Sequence, residues 1–242
     1  MTIKSLIYAL PVFFLSCGGV TEEPLELSGE IRGKITQLTE YGSLDLEQGG
    51  ATFILQTPSS TFQTQADPTG NYVLKNVPIG TYDMIVEKPG FGTFRSKGFQ
   101  FVGGEEAAYS FVSLSRTSTT TVTNLSLSYQ NGAIHFSGTG NYNDPLTSYT
   151  IVFAVAFLGN SQDVSPDNHT YSILIPMPES PGSDFSITSS MPSGLFPQGS
   201  TVFAVVYGIS IYGSLFFDPD TRRYNYPGLG TVPSNVASVK IQ

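Results

Sequence analysis

The chain predicts an all-β protein built as two β-sandwiches in tandem, and three features carry that expectation. Glycine and proline punctuate it heavily, at 25 and 16 of 242 residues, alongside 17 Phe and 13 Tyr, the composition of strands separated by many turns. The apolar runs at 150–158 (TIVFAVAFL) and 201–207 (TVFAVVY) are short and rich in β-branched residues. Such runs favour central strands buried on both faces over helices. Two sites, Asp67-Pro68-Thr69-Gly70 and Asn131-Gly132, carry turn chemistry with a mechanism. Pro presets φ for position i+1 and Asp suits position i, while Asn-Gly supplies the positive φ of a type I′ hairpin.

The first residues read as an address. Lys4 supplies a positive start, and residues 6–15 form an apolar stretch interrupted by Pro11, too short to span a bilayer. Phe14-Leu15-Ser16-Cys17 follows. That run resembles the lipobox of bacterial lipoproteins, except that Phe14 stands where Leu is usual. The resemblance implies cleavage after residue 16 and acylation of Cys17, with anchoring in the outer membrane, periplasmic or surface-exposed. Cys17 is the one cysteine of the chain and has no disulfide partner, which suits a lipidated role. The alternative is an ordinary secretory signal cut near Ser16. Residues 17–28 form a polar tether with Glu22, Glu23 and Glu26. It reads either as a surface-export signal or as a solvated linker.

Residues 29–115 read as the first sandwich. Strands are expected at 27–36, 51–57, 62–66, 71–76, 81–87, 93–102 and 107–114, with a loop at 41–50. The turn at 67–70, closed by Gly70, predicts a hairpin that pairs Asp67 with Asn71, Ala66 with Tyr72, Thr64 with Leu74 and Phe62 with Asn76. Val77-Pro78-Ile79-Gly80 is a second turn. Lys88-Pro89-Gly90-Phe91 has the Pro-Gly centre of a type II turn.

The residues Asp67, Gly70, Tyr72, Leu74, Asn76, Val77, Pro78, Gly80 and Tyr82 together resemble the signature of the carboxypeptidase regulatory-like family. The resemblance covers about residues 29–114. It implies a transthyretin-like sandwich of seven strands in which these positions are turns and core, with no catalytic role. Asp67 is accordingly expected to be a turn residue and not a calcium ligand.

Residues 116–121 (RTSTTT) read as a linker, and residues 122–242 as a second, immunoglobulin- or fibronectin-like sandwich. The two-residue Asn131-Gly132 loop pairs Tyr129 with Ile134, Leu127 with Phe136 and Leu125 with Gly138. It places His135 beside Ser128 on the other face, as a strand residue and not a ligand. Further strands are expected at 169–175, 185–189, 209–217 and 237–241. Residues 216–224 are expected to form a long β-excursion.

Charge and motif content narrow the function classes. With 11 Lys and Arg against 19 Asp and Glu, net −8, the chain lacks the basic surface that phosphate binding needs, which excludes nucleic acid as partner. His135 and His169 are the two histidines, and neither has a metal-ligand neighbour at useful spacing. No cofactor and no catalytic residue is assigned, although a two-carboxylate site assembled from distant positions stays open as a reading. Asp218-Pro219-Asp220 is expected to be a turn and not a calcium site. Candidate ligand contacts are Tyr142, Asn143, Tyr224 and Tyr226, in loops that mix Tyr with amides. The expected function is a non-enzymatic, lipid-anchored envelope protein acting as scaffold, adhesion or ligand-presenting module. Its partners would be the membrane, through the anchor, and envelope proteins or glycans. The alternative is a carbohydrate-binding accessory lipoprotein of an outer-membrane glycan-uptake system. An enzyme with a carboxylate pair is the third reading.

Overall fold

A computed structural model describes residues 28–103, 108–143, 151–190, 192, 194–214, 216–220 and 222–242. Cys17 and the tether up to residue 27 lie outside them. The described chain is all-β. The first sandwich uses β1 (Ser28–Leu38), β2 (Thr52–Gln56), β3 (Thr61–Gln65), β4 (Asn71–Pro78), β5 (Gly80–Glu87), β6 (Phe94–Phe101) and β7 (Ala108–Ser115). These form a three-stranded sheet, β4-β1-β7, packed on a four-stranded sheet, β3-β2-β5-β6. Alternation drives the packing: Ile31, Ile35, Tyr72, Leu74, Val112 and Leu114 from one sheet meet Phe53, Leu55, Met84 and Val86 from the other, as period-2 strands with one buried face require. Tyr72 stacks on Phe53 with ring centroids 4.4 Å apart. Its hydroxyl donates to the Ser110 carbonyl at 3.1 Å, and burial pushes its pKa up to about 12.

The turn at 67–70 forms, but the hairpin does not. Asp67 N donates to Asn71 O at 2.8 Å and Gly70 N to Asp67 O at 2.9 Å, and Gly70 has φ +86. Beyond that rung β3 pairs with β2 and β4 with β1, so the turn crosses from one sheet to the other. The expected partners Ala66–Tyr72, Thr64–Leu74 and Phe62–Asn76 are therefore not ladder partners. Inward positions on facing strands keep the same parity as those on neighbouring strands, and this is why the alternation fits both arrangements. Asn76 also sits in a left-handed conformation, φ +56, at a bulge opposite β1. The bulge turns Asn76 out and Val77 in. The turn at 88–91 closes as expected, with Phe91 N donating to Lys88 O at 3.0 Å and Gly90 at φ +80.

The second sandwich begins with β8 (Thr121–Gln130) and β9 (Ala133–Asn141), continues through β10 (Phe153–Gly159), β11 (Tyr171–Pro176), β12 (Ser183–Ser190) and β13 (Thr201–Ser210), and ends with β16 (Gly228–Pro233) and β17 (Ala237–Lys240). Between the last two groups stand β14 (Phe216–Asp218) and β15 (Arg223–Asn225), a small hairpin. One sheet runs β12-β9-β8. The other runs β11-β10-β13-β16, with β17 also on β13. The two apolar runs are β10 and β13, at the centre of the larger sheet and buried along most of their length. β13 reaches Ser210, so the break expected after residue 207 is absent, and the strand expected at 209–217 is divided between β13 and β14.

The Asn131-Gly132 turn has φ +52 and +79, the type I′ signature, and the pairs Tyr129–Ile134, Leu127–Phe136 and Ser128–His135 form as expected. Leu125 and Asn124 together stand opposite Gly138, because the ladder shifts by one residue between Thr123 and Ser126, a bulge at which Asn124 has φ +55. The Asn235 side chain replaces the lost rung. Its Oδ1 accepts from Leu125 N and its Nδ2 donates to Leu125 O, both at 2.9 Å.

The segment 116–120 is bonded on both sides. Arg116 forms a two-pronged ion pair with the buried Asp45, and its guanidinium lies over the Phe91 ring. Thr119 donates two bonds, from its N–H and its hydroxyl, to the Glu40 carboxylate. Ser118 N donates to Gly228 O at 3.0 Å. A Cβ on Gly208 would lie 2.2 Å from Thr120 O, so this close approach requires glycine.

Candidate functional site

Among the described residues of the second half, the β14–β15 hairpin carries a pair of exposed aromatics in contact. Its register sets Phe217 opposite Tyr224 and Asp218 opposite Arg223. Alternation turns Phe216 inward, buried, and leaves Phe217 and Tyr224 on the outside, 47% and 59% exposed. Their rings meet edge to face, with centroids 5.3 Å apart, a cross-strand contact that fixes both side chains. Asp220 N donates to Asp218 Oδ1 at 2.9 Å, an Asx-type turn, and Arg222 takes φ +55 to close it.

The hairpin is held from both sandwiches. From β6, Lys97 Nζ lies 3.3 Å from Asp218 Oδ1 and makes a closer ion pair with Asp220. From the second sandwich, Asp167 O accepts Arg223 Nη1 at 2.5 Å. Beyond β15, Tyr226 shares a hydrogen bond with Ser172 at 2.8 Å and sets its ring edge on Phe157, centroids 5.6 Å apart. Phe157 is fully buried and also meets His169 and Tyr207. Burial, with Arg223 as a second cause, lowers the His169 pKa, and its Nδ1 is buried without a partner. Together these contacts hold two exposed rings on a support packed into the outer face of the larger sheet.

The four aromatic and amide candidates do not share one surface. Tyr224 and Tyr226 belong to this hairpin and its continuation, with Tyr224 exposed and Tyr226 half-buried. Tyr142 donates from its hydroxyl to Pro178 O at 2.5 Å and packs on the main core of the second sandwich. Asn143 sits at the contact between the halves. Its carbonyl accepts from the Tyr41 hydroxyl at 2.6 Å, and its Nδ2 donates to Thr119 Oγ1 at 3.1 Å. Ser172 and Pro178, the partners of Tyr226 and Tyr142, are six positions apart along and just past β11, roughly 20 Å in extended chain.

The other singled-out polar residues have local roles. Asp67 Oδ1 accepts from Thr69 N, Thr69 Oγ1 and Asn71 N, and the Thr69 hydroxyl leads in holding its pKa down. Asp218 and Asp220 form a turn that both carboxylates tie to Lys97. His135 Nδ1 bonds Thr188 Oγ1 at 2.7 Å on the outer face of β9. Phe217 and Arg223 lie in the excursion expected at 216–224 but were not among the expected contacts, and Lys97 and Asp167 were not singled out by sequence. The two phenylalanines at 216–217 gave a partial signal, since one of an adjacent pair on a strand must face out.

No family model and no curated protein matches the chain. Among solved structures, a DUF3823 family protein from Bacteroides ovatus is 13% identical, covering 89% of this chain and 100% of its own, at a TM-score of 0.36. A protein of Bacteroides uniformis, provisionally assigned as carbohydrate binding, is 15% identical over 88% of this chain and 99% of its own, at 0.33. A DUF3823 family protein from Parabacteroides merdae is 12% identical over 88% and 100%, also at 0.33. At these scores the likenesses carry no argument about what this chain binds or does.

Proposed function

We propose that this chain is a non-enzymatic, lipid-anchored cell-envelope protein whose first sandwich is a spacer and whose second presents a binding surface. One observation carries the reading. β1 and β7, the first and last strands of the first sandwich, are parallel neighbours in register from Ile31–Ala108 to Leu38–Ser115. The chain therefore enters this sandwich at one end and leaves at the other. A sandwich threaded in this way separates a tether ending at Ser28 from residue 116 by the length of β1. For its 11 residues that is roughly 35 Å. The seven strands in a three-plus-four arrangement also suit the carboxypeptidase regulatory-like reading of residues 29–115. Anchoring rests on the Cys17 lipobox-like run. Palmitate labelling of cells tests it: the wild type takes up label and fractionates with outer membranes, whereas Cys17→Ala is unlabelled and soluble. Membrane retention of Cys17→Ala would overturn the anchoring.

A second reading, glycan binding, is favoured by the exposed Phe217–Tyr224 pair. Rings fixed at a surface offer apolar area to a sugar face at little entropic cost. On a glycan array the wild type then binds and Tyr224→Ala weakens binding by about tenfold or more. Tyr142→Phe serves as a control with no effect. Absence of binding to every glycan leaves the spacer-and-presenter reading alone.

A further inference from the structure

The geometry points to the outer face and edge of the three-stranded sheet β4-β1-β7 as a docking surface for an extended, acidic segment of a partner protein, added as a strand beside β7. β7 is an edge of that sheet. Its sequence, AYSFVSLS, has no Lys, Glu, Asp or Pro, and so lacks the residues that usually blunt an edge. The far end of the same edge already accepts a segment of chain. Ser214 N donates to Ser113 O at 2.8 Å, and Ser113 N donates to Ser214 Oγ at 3.0 Å. Backbone groups of alternate residues point to the same side of a strand, so those of Phe111 face the same edge as those of Ser113. The Phe111 side chain is 74% exposed and stands on the outer face, in register with Lys34.

Charge decides the partner. On this face Ile31, Ile35, Tyr72 and Leu74 point inward, which turns Arg32, Lys34 and Lys75 outward. Glu30, paired to Arg32, is the acid beside them. Among the described residues, three cations stand against one carboxylate on this face, on a chain of net charge −8. A strand added at β7 would lie two strand spacings from β1, roughly 10 Å. Carboxylates on its outward positions would flank Phe111 and meet Lys34 across it. Main-chain bonds to the edge would supply affinity, and the alternate carboxylates specificity. A second copy would bring the same cations to the interface, which disfavours it as occupant.

The test uses the described protein without its lipid anchor and three short synthetic peptides. One alternates Glu with Val, the second has Lys in place of Glu, and the third is the Glu peptide with Pro at alternate positions. The Glu peptide binds and slows hydrogen exchange at the Phe111 amide. The Lys and Pro peptides bind at least about tenfold more weakly, since repulsion and lost N–H donors act separately. Lys34→Glu reverses the preference between the Glu and Lys peptides, and Phe111→Lys, checked for an unchanged melting temperature, weakens both. No binding of the Glu peptide, equal binding of the Lys peptide, or protection away from β7 overturns the proposal. A concentration-dependent dimer abolished by Phe111→Lys would overturn it in favour of self-pairing.

Discussion

His169 is a buried residue whose chemistry is altered by its surroundings. It lies against the buried Phe157 ring, and burial, then Arg223, lowers its pKa. The folded protein therefore holds it neutral where the unfolded chain, with a pKa of about 6.5, takes a proton. The stability this confers is present above about pH 6.5 and is lost as pH falls from there towards the lowered folded value, because the unfolded state binds more protons. Arg223 and Asp167 are the charged groups that act on it, with backbone bonds to Pro166 and Ser165. Thermal melts between pH 5.5 and 7.5 (about one unit either side of that value) show a falling melting temperature on acidification, and His169→Gln flattens the slope. At the other end of the molecule, Gly33 lies beneath Tyr72. A Cβ there would stand 1.9 Å from Ser110 O and 2.6 Å from the Tyr72 hydroxyl oxygen. Gly33→Ala is expected to cost about 2–3 kcal/mol by overpacking. Tyr72→Phe, which leaves the Ser110 carbonyl without this donor, costs about 1 kcal/mol. Chemical denaturation of the two variants checks the order.

Among the elements, the connection at 116–120 shows how local sequence can mislead about mechanics. RTSTTT has the composition of a loose linker, yet Arg116 grips Asp45 and Thr119 grips Glu40. Arg116 leads in holding the Asp45 carboxyl below its usual pKa, so this contact persists in mild acid and weakens only as pH falls through that lowered value. Arg116→Ala is expected to open the segment to protease without unfolding either sandwich. Limited proteolysis with mass spectrometry should find new cuts confined to about residues 116–121. What the sequence made legible was local: the turns at 67–70, 88–91 and 131–132, and the apolar runs of β10 and β13. What it hid depends on distant partners. The bulge at Asn124 is completed by Asn235, 111 positions away. The β3–β4 crossing follows from which sheets close on the core, and strand parity cannot distinguish a neighbour from a facing strand. The hairpin site was half visible for the same reason. Tyr224 and Phe217 stand in an aromatic stretch, but Lys97 and Asp167, which fix it, come from other strands and loops.

At the scale of the whole molecule, the account is of a directional stack: tether, spacer, bonded junction, presented sandwich. The direction comes from the parallel pairing of β1 with β7, since an antiparallel pair would return the chain to the end it entered. It places Val102 and Ile79, beside Ser28, at the end where the tether arrives. The Asn131-Gly132 turn lies at the far end of β8 from residue 121, where the second sandwich starts. The most direct test reconstitutes the lipidated protein in vesicles containing an acceptor dye and places a donor fluorophore at Val102 or at Asn131 by cysteine substitution. The account predicts strong energy transfer from position 102 and weak transfer from position 131, because β1 alone adds roughly 35 Å between the ends of the first sandwich. Equal transfer from both positions, or stronger transfer from 131, would contradict it.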